Sequence, residues 1–316
     1  MDGVLIMKLI TVLMTTYNES DNIISKAMDS ILLQSFKDFD FLIIVDNPKN
    51  YHLINILQQY SAKDERIKVL INKKNIGLPL SLNKGIDLIE TKYIARMDAD
   101  DLSDPCRLEK QLFIMENNPK IAMLGSNIIY MDNDENTFQK RGSIPLDNKS
   151  IKTVMKCMNV LNHPTFFGKT EIFKKYKYRN LKYSQDYDFV CRLLENNECV
   201  INMPDYLLKY RVAETKSNEK IIKQKLIYYY IQSLYKKNLL STSNIVNGIN
   251  DCFEKVDKQK FLEEINSYNL ACDLLKQKKY IKGVAKFIDL YIHSEYINIE
   301  INNLINYMFL KCIYNF

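Results

Sequence analysis

Apolar runs alternate with helical spacings through the first hundred residues. Leu9 to Met14 reads as a strand, and Asp21 to Gln34 follows it with Ile23, Ala27, Met28, Ile31 and Leu32 along one helix face. The pairing recurs. Phe41 to Val45 is strand-like and Tyr51 to Tyr60 helical; Ile67 to Ile71 is strand-like and Ser81 to Glu90 helical; a fourth run, Lys92 to Met97, ends in Asp98. Such alternation predicts right-handed crossovers and an α/β fold, a mostly parallel sheet flanked by helices on both faces. Ligands of such sheets gather at the carboxyl ends of the strands.

Asp104-Pro105 predicts an N-cap and a first helical position, with Leu108, Leu112 and Met115 at helical spacing until Asn118-Pro119. Ile121 to Met131 is a further strand. The strict alternation then lapses, leaving a helix over about Ser150 to Met158, the His163-Pro164 loop, a helix over Asp186 to Glu195 and a short strand over Tyr206 to Val212. From Glu219 onward Lys, Tyr, Ile and Asn dominate and the apolar spacing is helical nearly throughout, which predicts a boundary near Thr215 to Asn218. The chain should therefore divide into residues 1–217, with halves at about 8–131 and 132–217, and a C-terminal α-helical region over 218–316. Leu270 to Lys278 and Tyr280 to His293 resemble a helical hairpin, loosely one tetratricopeptide unit, and one unit does not establish a repeat.

With 316 residues, 47% apolar and 26% charged, the chain is large enough for one large domain and a smaller one. Eight glycines, seven prolines and no tryptophan exclude collagenous, low-complexity and β-propeller readings. The seven cysteines are odd in number, scattered and never spaced C-x-x-C, so they read as reduced thiols of a cytosolic protein. No run reaches the roughly 18 to 20 apolar residues of a membrane span, and MDGVLIMKLITVLM has neither basic leader nor cleavage site, so a cytoplasmic location is expected. Of the net charge of +6, Glu219 onward carries 14 Lys against 10 acidic residues. This excess reads as a solvated lysine-rich surface or as a contact with the inner face of an anionic membrane. No nucleic-acid partner is expected.

The sharpest local feature is Arg96-Met97-Asp98-Ala99-Asp100-Asp101, carboxylates crowded just after a strand. Like charges this close repel unless a cation or strong donors compensate them. A hard divalent ion does so while keeping sites for water and phosphate, which suits a D-x-D turn; a solvated acidic loop is the plainer alternative. Other polar elements end the neighbouring strands: Thr15-Thr16-Tyr17-Asn18, Asp46-Asn47 and Asn75-Ile76-Gly77. Tyr17 offers a flat ring for a base and Asp46 an acceptor for a base N–H, although singly they also read as a core aromatic and a turn residue. A nucleotidyltransferase would require a glycine-rich basic loop after the first strand, and none is there.

VLMTTYNES, a strand ending in Asp46, NIGLPLSLNKGI, RMDADD, NHPTFFGK and SQDYDFVCRLLE follow in an order that resembles inverting family 2 glycosyltransferases with the glycosyltransferase-A fold, a Rossmann-like architecture. The likeness is greatest to the bacterial branch building exopolysaccharide, capsule and O-antigen, of the amylovoran-biosynthesis type. It covers about Leu9 to Val212. The resemblance implies transfer of a sugar from a nucleotide sugar, a UDP-sugar, to a glycan acceptor linked to polyprenyl diphosphate; separately, the lysines and tyrosines beyond Asn218 predict helices that pack on the catalytic domain and bring it to the inner membrane leaflet. It implies that Thr15, Tyr17 and Asp46 hold the base and that Asn75, Gly77 and Asn83 shape the nucleoside pocket. Asp98 would face ribose and donor sugar and share the metal site with Asp100, the ligand of Mg²⁺ or Mn²⁺. Asp186 falls on the catalytic-base position at the start of a helix, where the dipole favours its ionised form. Arg96 either orients the carboxylates or neutralises them from behind, and Asp101 reads as a supporting residue or helix cap. Asp188 points away from Asp186 on a helix and cannot replace it.

The chain departs from that pattern in places. Val45 and Asn47-Pro48 flank Asp46 where relatives carry an Asp-Asp-Gly-Ser turn, and Tyr210-Arg211-Val212-Ala213-Glu214 lacks a histidine found there in many. Arg211 would then reach the diphosphate as a cation. His163 reads as structural. The altered turn and lysine-rich tail leave a second reading, a non-catalytic scaffold acting through its C-terminal helices.

Overall fold

The computed structural model describes residues 8–142, 144–212, 217–242 and 245–314. β1 (Ile10–Thr16), α1 (Asp21–Leu32), β2 (Phe39–Val45), α2 (Tyr51–Lys63), β3 (Ile67–Ile71), α3 (Leu78–Leu88) and β4 (Tyr93–Asp98) follow in the predicted order. β5 (Leu102–Ser103), α4 (Arg107–Asn117), β6 (Ile121–Met131), β7 (Thr137–Lys140), α5 (Asn148–Val154), β8 (Phe167–Lys169), α6 (Thr170–Tyr176), α7 (Gln185–Glu195) and β9 (Cys199–Arg211) come next. Among the described residues five helices follow: α8 (Asn218–Lys236), α9 (Ile245–Lys255), α10 (Lys258–Lys276), α11 (Tyr280–His293) and α12 (Asn298–Tyr314).

The strands form one sheet in the order β3-β2-β1-β4-β8-β6-β9-β5, with β7 on β6. β3, β2, β1 and β4 are parallel; β8 runs antiparallel to β4 and to β6, and β6 and β9 are parallel to each other. β5 closes the path by pairing with the far end of β9, although only residues 99–101 separate it from β4. Three residues reach about 10 Å at most, so the sheet must curl round.

Strand alternation builds the layers. Ile10, Val12 and Met14 of β1 join Phe39, Phe41 and Ile43 of β2 in a core that takes Ile24, Ala27, Met28 and Ile31 from α1. Leu53 and Leu57 of α2 and Leu108 and Met115 of α4 complete that side. Leu13 and Ile44 point the other way, onto α3, which approaches so closely that a Cβ on Gly85 would meet Leu13 at 2.4 Å. Helices thus cover both faces.

Several boundaries differ from the sequence reading. α4 begins at Arg107, because the Asp104 carboxylate accepts the N–H of Cys106 (3.0 Å) in a turn ahead of the helix rather than capping it. α5 ends at Val154, the final strand starts earlier at Cys199, and Leu270 to Lys278 lies mostly in the second half of the long helix α10.

The chain separates into two compact units, Met1–Ile151 with Val160–Ala213, and Lys152–Asn159 with Glu214–Phe316. Of the boundary expected near Thr215 to Asn218, residues 215 and 216 lie outside the described residues. The second unit packs Ile222, Leu226 and Tyr229 of α8 against Phe261 and Ile265 of α10, Leu290 of α11 and Ile301 of α12. Its buried Glu264 accepts the N–H groups of Glu295 (2.9 Å), Tyr296 (2.8 Å) and Ile297 (3.1 Å), just ahead of α12. Among the described residues no helix is long and apolar enough to cross a membrane.

Candidate active site

Register aligns the polar strand ends. Thr15 lies opposite Asp98 across β1 and β4, and Thr16 opposite Val45 across β1 and β2, so Asp46 follows at the same edge. Beyond β1 the Tyr17 ring is 45% exposed. Its N–H donates to the Glu19 carboxylate (2.8 Å), which also takes the Thr16 hydroxyl.

Asp46 is buried and serves as the knot of the neighbouring loop. One oxygen accepts from Asn72 Nδ2 (2.8 Å) and the Ile76 N–H (2.9 Å); the other accepts the Gly77 N–H (2.8 Å). Gly77 has φ of 85°, a conformation strained for any residue with a Cβ. Exposed Asn75 also accepts the Gly77 N–H, at 3.1 Å. In the altered turn after Asp46, Asn47 donates to Asn18 (2.6 Å), joining the loops after β1 and β2.

At the end of β4, ligand oxygens of Asp98, Asp100 and Asp101 all lie within 4.8 Å of one another. The fully buried Arg96 pairs with Asp98 through one nitrogen, while its Nε and Nη1 have no partner. Burial, then Asp98 and Glu19, pushes Asp100 up to about 6. Burial with Asp98 and Asp100 pushes Asp101 well above the usual carboxylate range, against the backbone N–H of Arg211. One Asp101 oxygen accepts that N–H at 2.8 Å; the other is buried and unpartnered. Crowded carboxylates with one orphaned oxygen are a donor set short of a cation, and oxygen-only ligation fits Mg²⁺ or Mn²⁺.

Asp186 is half-buried in the first turn of α7, after Ser184 in the left-handed conformation. It and Asp98 both act on Tyr178, whose hydroxyl meets His163 Nε2 at 2.9 Å. Burial, resisted by Arg96 and reinforced by Asp186 and Asp98, raises the Tyr178 pKa. Burial and then Arg96 hold His163 well below 6.5, so the ring is neutral. Asp188 is buried, unlike half-buried Asp186, and pairs with Arg192 (2.9 Å) and Arg179 (3.3 Å).

The family described as glycosyl transferase family 2 matches residues 11–181, more than half of the chain. The chain belongs to glycosyl transferase family 2. An uncharacterized glycosyltransferase of Methanocaldococcus jannaschii, MJ1057, is 38% identical over 232 residues, 73% of this chain and 80% of that one. The O-antigen biosynthesis glycosyltransferase WbnJ of Escherichia coli is 33% identical, covering 77% of this chain and 93% of its own. The amylovoran biosynthesis glycosyltransferase AmsE of Erwinia amylovora is 28% identical over 66% of this chain and 79% of its own. The structure of S. aureus TarS in complex with UDP-GlcNAc shares the fold, with a TM-score of 0.58 at 16% identity over 97% of this chain and 91% of that one.

Three residues of the glycosyltransferase sit differently from the sequence reading. Arg211 is buried and does not present a free cation: its guanidinium holds the carbonyls of Asp100 (2.8 Å), Asp132 (3.0 Å) and Asn133 (3.0 Å) and pairs with Glu135 (3.3 Å). Both ends of the Asn83 amide are engaged by the backbone of Tyr178, at 2.7 and 2.8 Å, so the side chain ties α3 to the segment before α7. Asp101 is no helix cap; it belongs to the carboxylate group itself. The sequence reading assigns no role to Glu19, although it stands within VLMTTYNES, nor to Tyr178, which stands in no quoted motif.

Proposed function

We propose that this glycosyltransferase moves a sugar from a nucleoside-diphosphate sugar, with UDP as carrier, to a hydroxyl of a growing surface polysaccharide. The acceptor is lipid-linked through polyprenyl diphosphate, and the anomeric carbon is inverted. The observation supporting this reading is that Asp186 and Asp98, the latter one of three carboxylates with oxygens within 4.8 Å of one another, both act electrostatically on one buried hydroxyl, that of Tyr178. The O-antigen and amylovoran relatives support the polysaccharide product, and the UDP-GlcNAc bound to TarS supports the carrier.

Asp98 and Asp100, with the free oxygen of Asp101, would hold Mg²⁺ or Mn²⁺, which supplies neutralising charge to a departing diphosphate. The exposed Tyr17 ring would stack on the base, beside Thr15 and the Asn75–Gly77 loop that Asp46 holds through the N–H groups of Ile76 and Gly77. Asp186 would accept the proton of the attacking hydroxyl, a task that requires an ionised carboxylate within hydrogen-bond reach. Attack opposite the leaving group inverts the centre in one displacement, so an α-linked donor gives a β-linked product.

A panel of nucleotide sugars, each tested with and without Mn²⁺, examines the reading. UDP-sugar hydrolysis should appear with metal and vanish in Asp100→Asn. Asp186→Asn should lower transfer by about a hundredfold or more while leaving UDP binding intact. Undiminished turnover in both folded variants would sink the proposal.

A further inference from the structure

The second unit carries an apolar surface that nothing in the sugar-transfer chemistry uses. α11 packs inward through Gly283, Phe287 and Leu290; a Cβ on Gly283 would meet Leu275 of α10 at 2.7 Å, so the two helices touch closely on that side. At about 100° per residue, Val284, Ile288, Ile281 and Ile292 fall on the adjoining arc. They are not buried: Ile281 is 87% exposed, Ile292 64%, Ile288 54% and Val284 49%. Branched aliphatic side chains in one continuous exposed stripe are unusual on a surface facing water alone.

The borders of this stripe say what meets it. Half-exposed Tyr280 and Tyr291 lie along the edge nearest the bundle. The other margin, beyond Ala285, carries Asp289, Lys282 and Lys286, and Lys276, which pairs with Asp273 (3.3 Å), Lys278 and Lys279 crowd the turn before the helix. From residue 276 to 293 the chain has five lysines and one acidic residue, Asp289, which bonds His293 at 3.0 Å. An aliphatic centre with tyrosines on one margin and lysines on the other is the pattern of a helix lying in the plane of a lipid surface. An anionic headgroup layer attracts each of those lysines.

We infer that α11 is a membrane-contact helix, which lays Ile281, Val284, Ile288 and Ile292 into the interface of an anionic bilayer while the surrounding lysines bind lipid phosphates. The inference does not rest on the proposed transfer reaction, since vesicle binding is read without donor or acceptor.

The full-length protein should float with vesicles of phosphatidylcholine mixed with phosphatidylglycerol, and only weakly with phosphatidylcholine alone. Ile281→Asp with Ile292→Asp changes exposed positions and leaves the bundle core intact; it should abolish flotation, with the circular dichroism spectrum unchanged. Lys278→Glu with Lys279→Glu and Lys282→Glu should lower binding to anionic vesicles by about tenfold or more. Because the chain has no tryptophan, Ile288→Trp gives a single reporter whose emission should shift to the blue with anionic vesicles. Failure of the wild type to float on either vesicle overturns the inference. So does flotation that survives the isoleucine changes, or a dimer in solution that those changes dissociate, which would assign the stripe to a second copy.

Discussion

Arg211 and Asp101 are bound to each other through the backbone N–H of one and a carboxylate oxygen of the other, at 2.8 Å, across 110 residues of sequence. The same arginine side chain holds the carbonyl of Asp100. One residue at the end of β9 therefore shapes the turn that carries the carboxylates. Arg211→Ala should leave buried carbonyls without donors and destabilise the protein by about 3 kcal/mol. Arg211→Lys should restore the charge but not the fork, recovering only part of that loss in thermal unfolding. Both should weaken Mn²⁺ binding in calorimetry; wild-type affinity in either would refute the positioning role.

Asp46 gathers Asn72, Ile76 and Gly77 onto one carboxylate. Asp46→Asn keeps the size but replaces an acceptor with a donor that faces N–H groups. It should free the loop before α3 and raise KM for the donor more than it lowers kcat. Gly77→Ala imposes a Cβ on a positive φ and should cost about 1–2 kcal/mol in denaturant unfolding. An equal loss of kcat with unchanged KM would show that the loop serves the chemical step instead.

His163 supplies a pH dependence. Its folded pKa is depressed below 6.5 by burial and by Arg96, so the native state binds its proton less readily than the unfolded chain. The associated stability is complete above pH 6.5 and is lost as pH falls from there through the lower folded value. Between pH 7.5 and 5.5, urea unfolding of the wild type should therefore lose more stability than His163→Gln does, approaching 1.4 kcal/mol per pH unit, roughly one proton's worth. Parallel curves for the two proteins would remove His163 as the cause.

In the second unit Glu264 binds three successive backbone N–H groups and the Ser294 hydroxyl (2.7 Å), which together outweigh burial and keep its pKa low. Glu264→Ala should strand those donors and destabilise the helical unit by about 1–3 kcal/mol. Hydrogen exchange should quicken at residues 294–301 first, whereas uniform exchange across the unit would mean that the carboxylate is not a local clasp.

Much of the sheet was readable because its inner strands are buried on both faces and so are apolar in unbroken runs, as in Phe41 to Val45. β7 escaped because Thr137–Lys140 is wholly exposed, with Phe138 its single apolar residue and so no alternation to read, and β8 because three residues give no period. At the site, Asp98 and Asp100 announce themselves through unexplained charge beside a strand end. The partners that decide what each group is free to do are distant in sequence: Arg211 against Asp100, or Asn83 against Tyr178. No local pattern encodes such pairings, which is why Arg211 looked available and is not.

The curl of the sheet has a mechanical result. Residues 99–101 form a short bridge whose abutments are β4 on one side and β5, pinned to Leu208 and Lys209 of β9, on the other. Such a span cannot swing open alone, because moving it requires unzipping one of the strands that anchor it. The donor side should accordingly behave as a rigid template, with crystals grown with and without nucleotide superimposing closely there. Whatever closes over a bound ligand has to come from other segments.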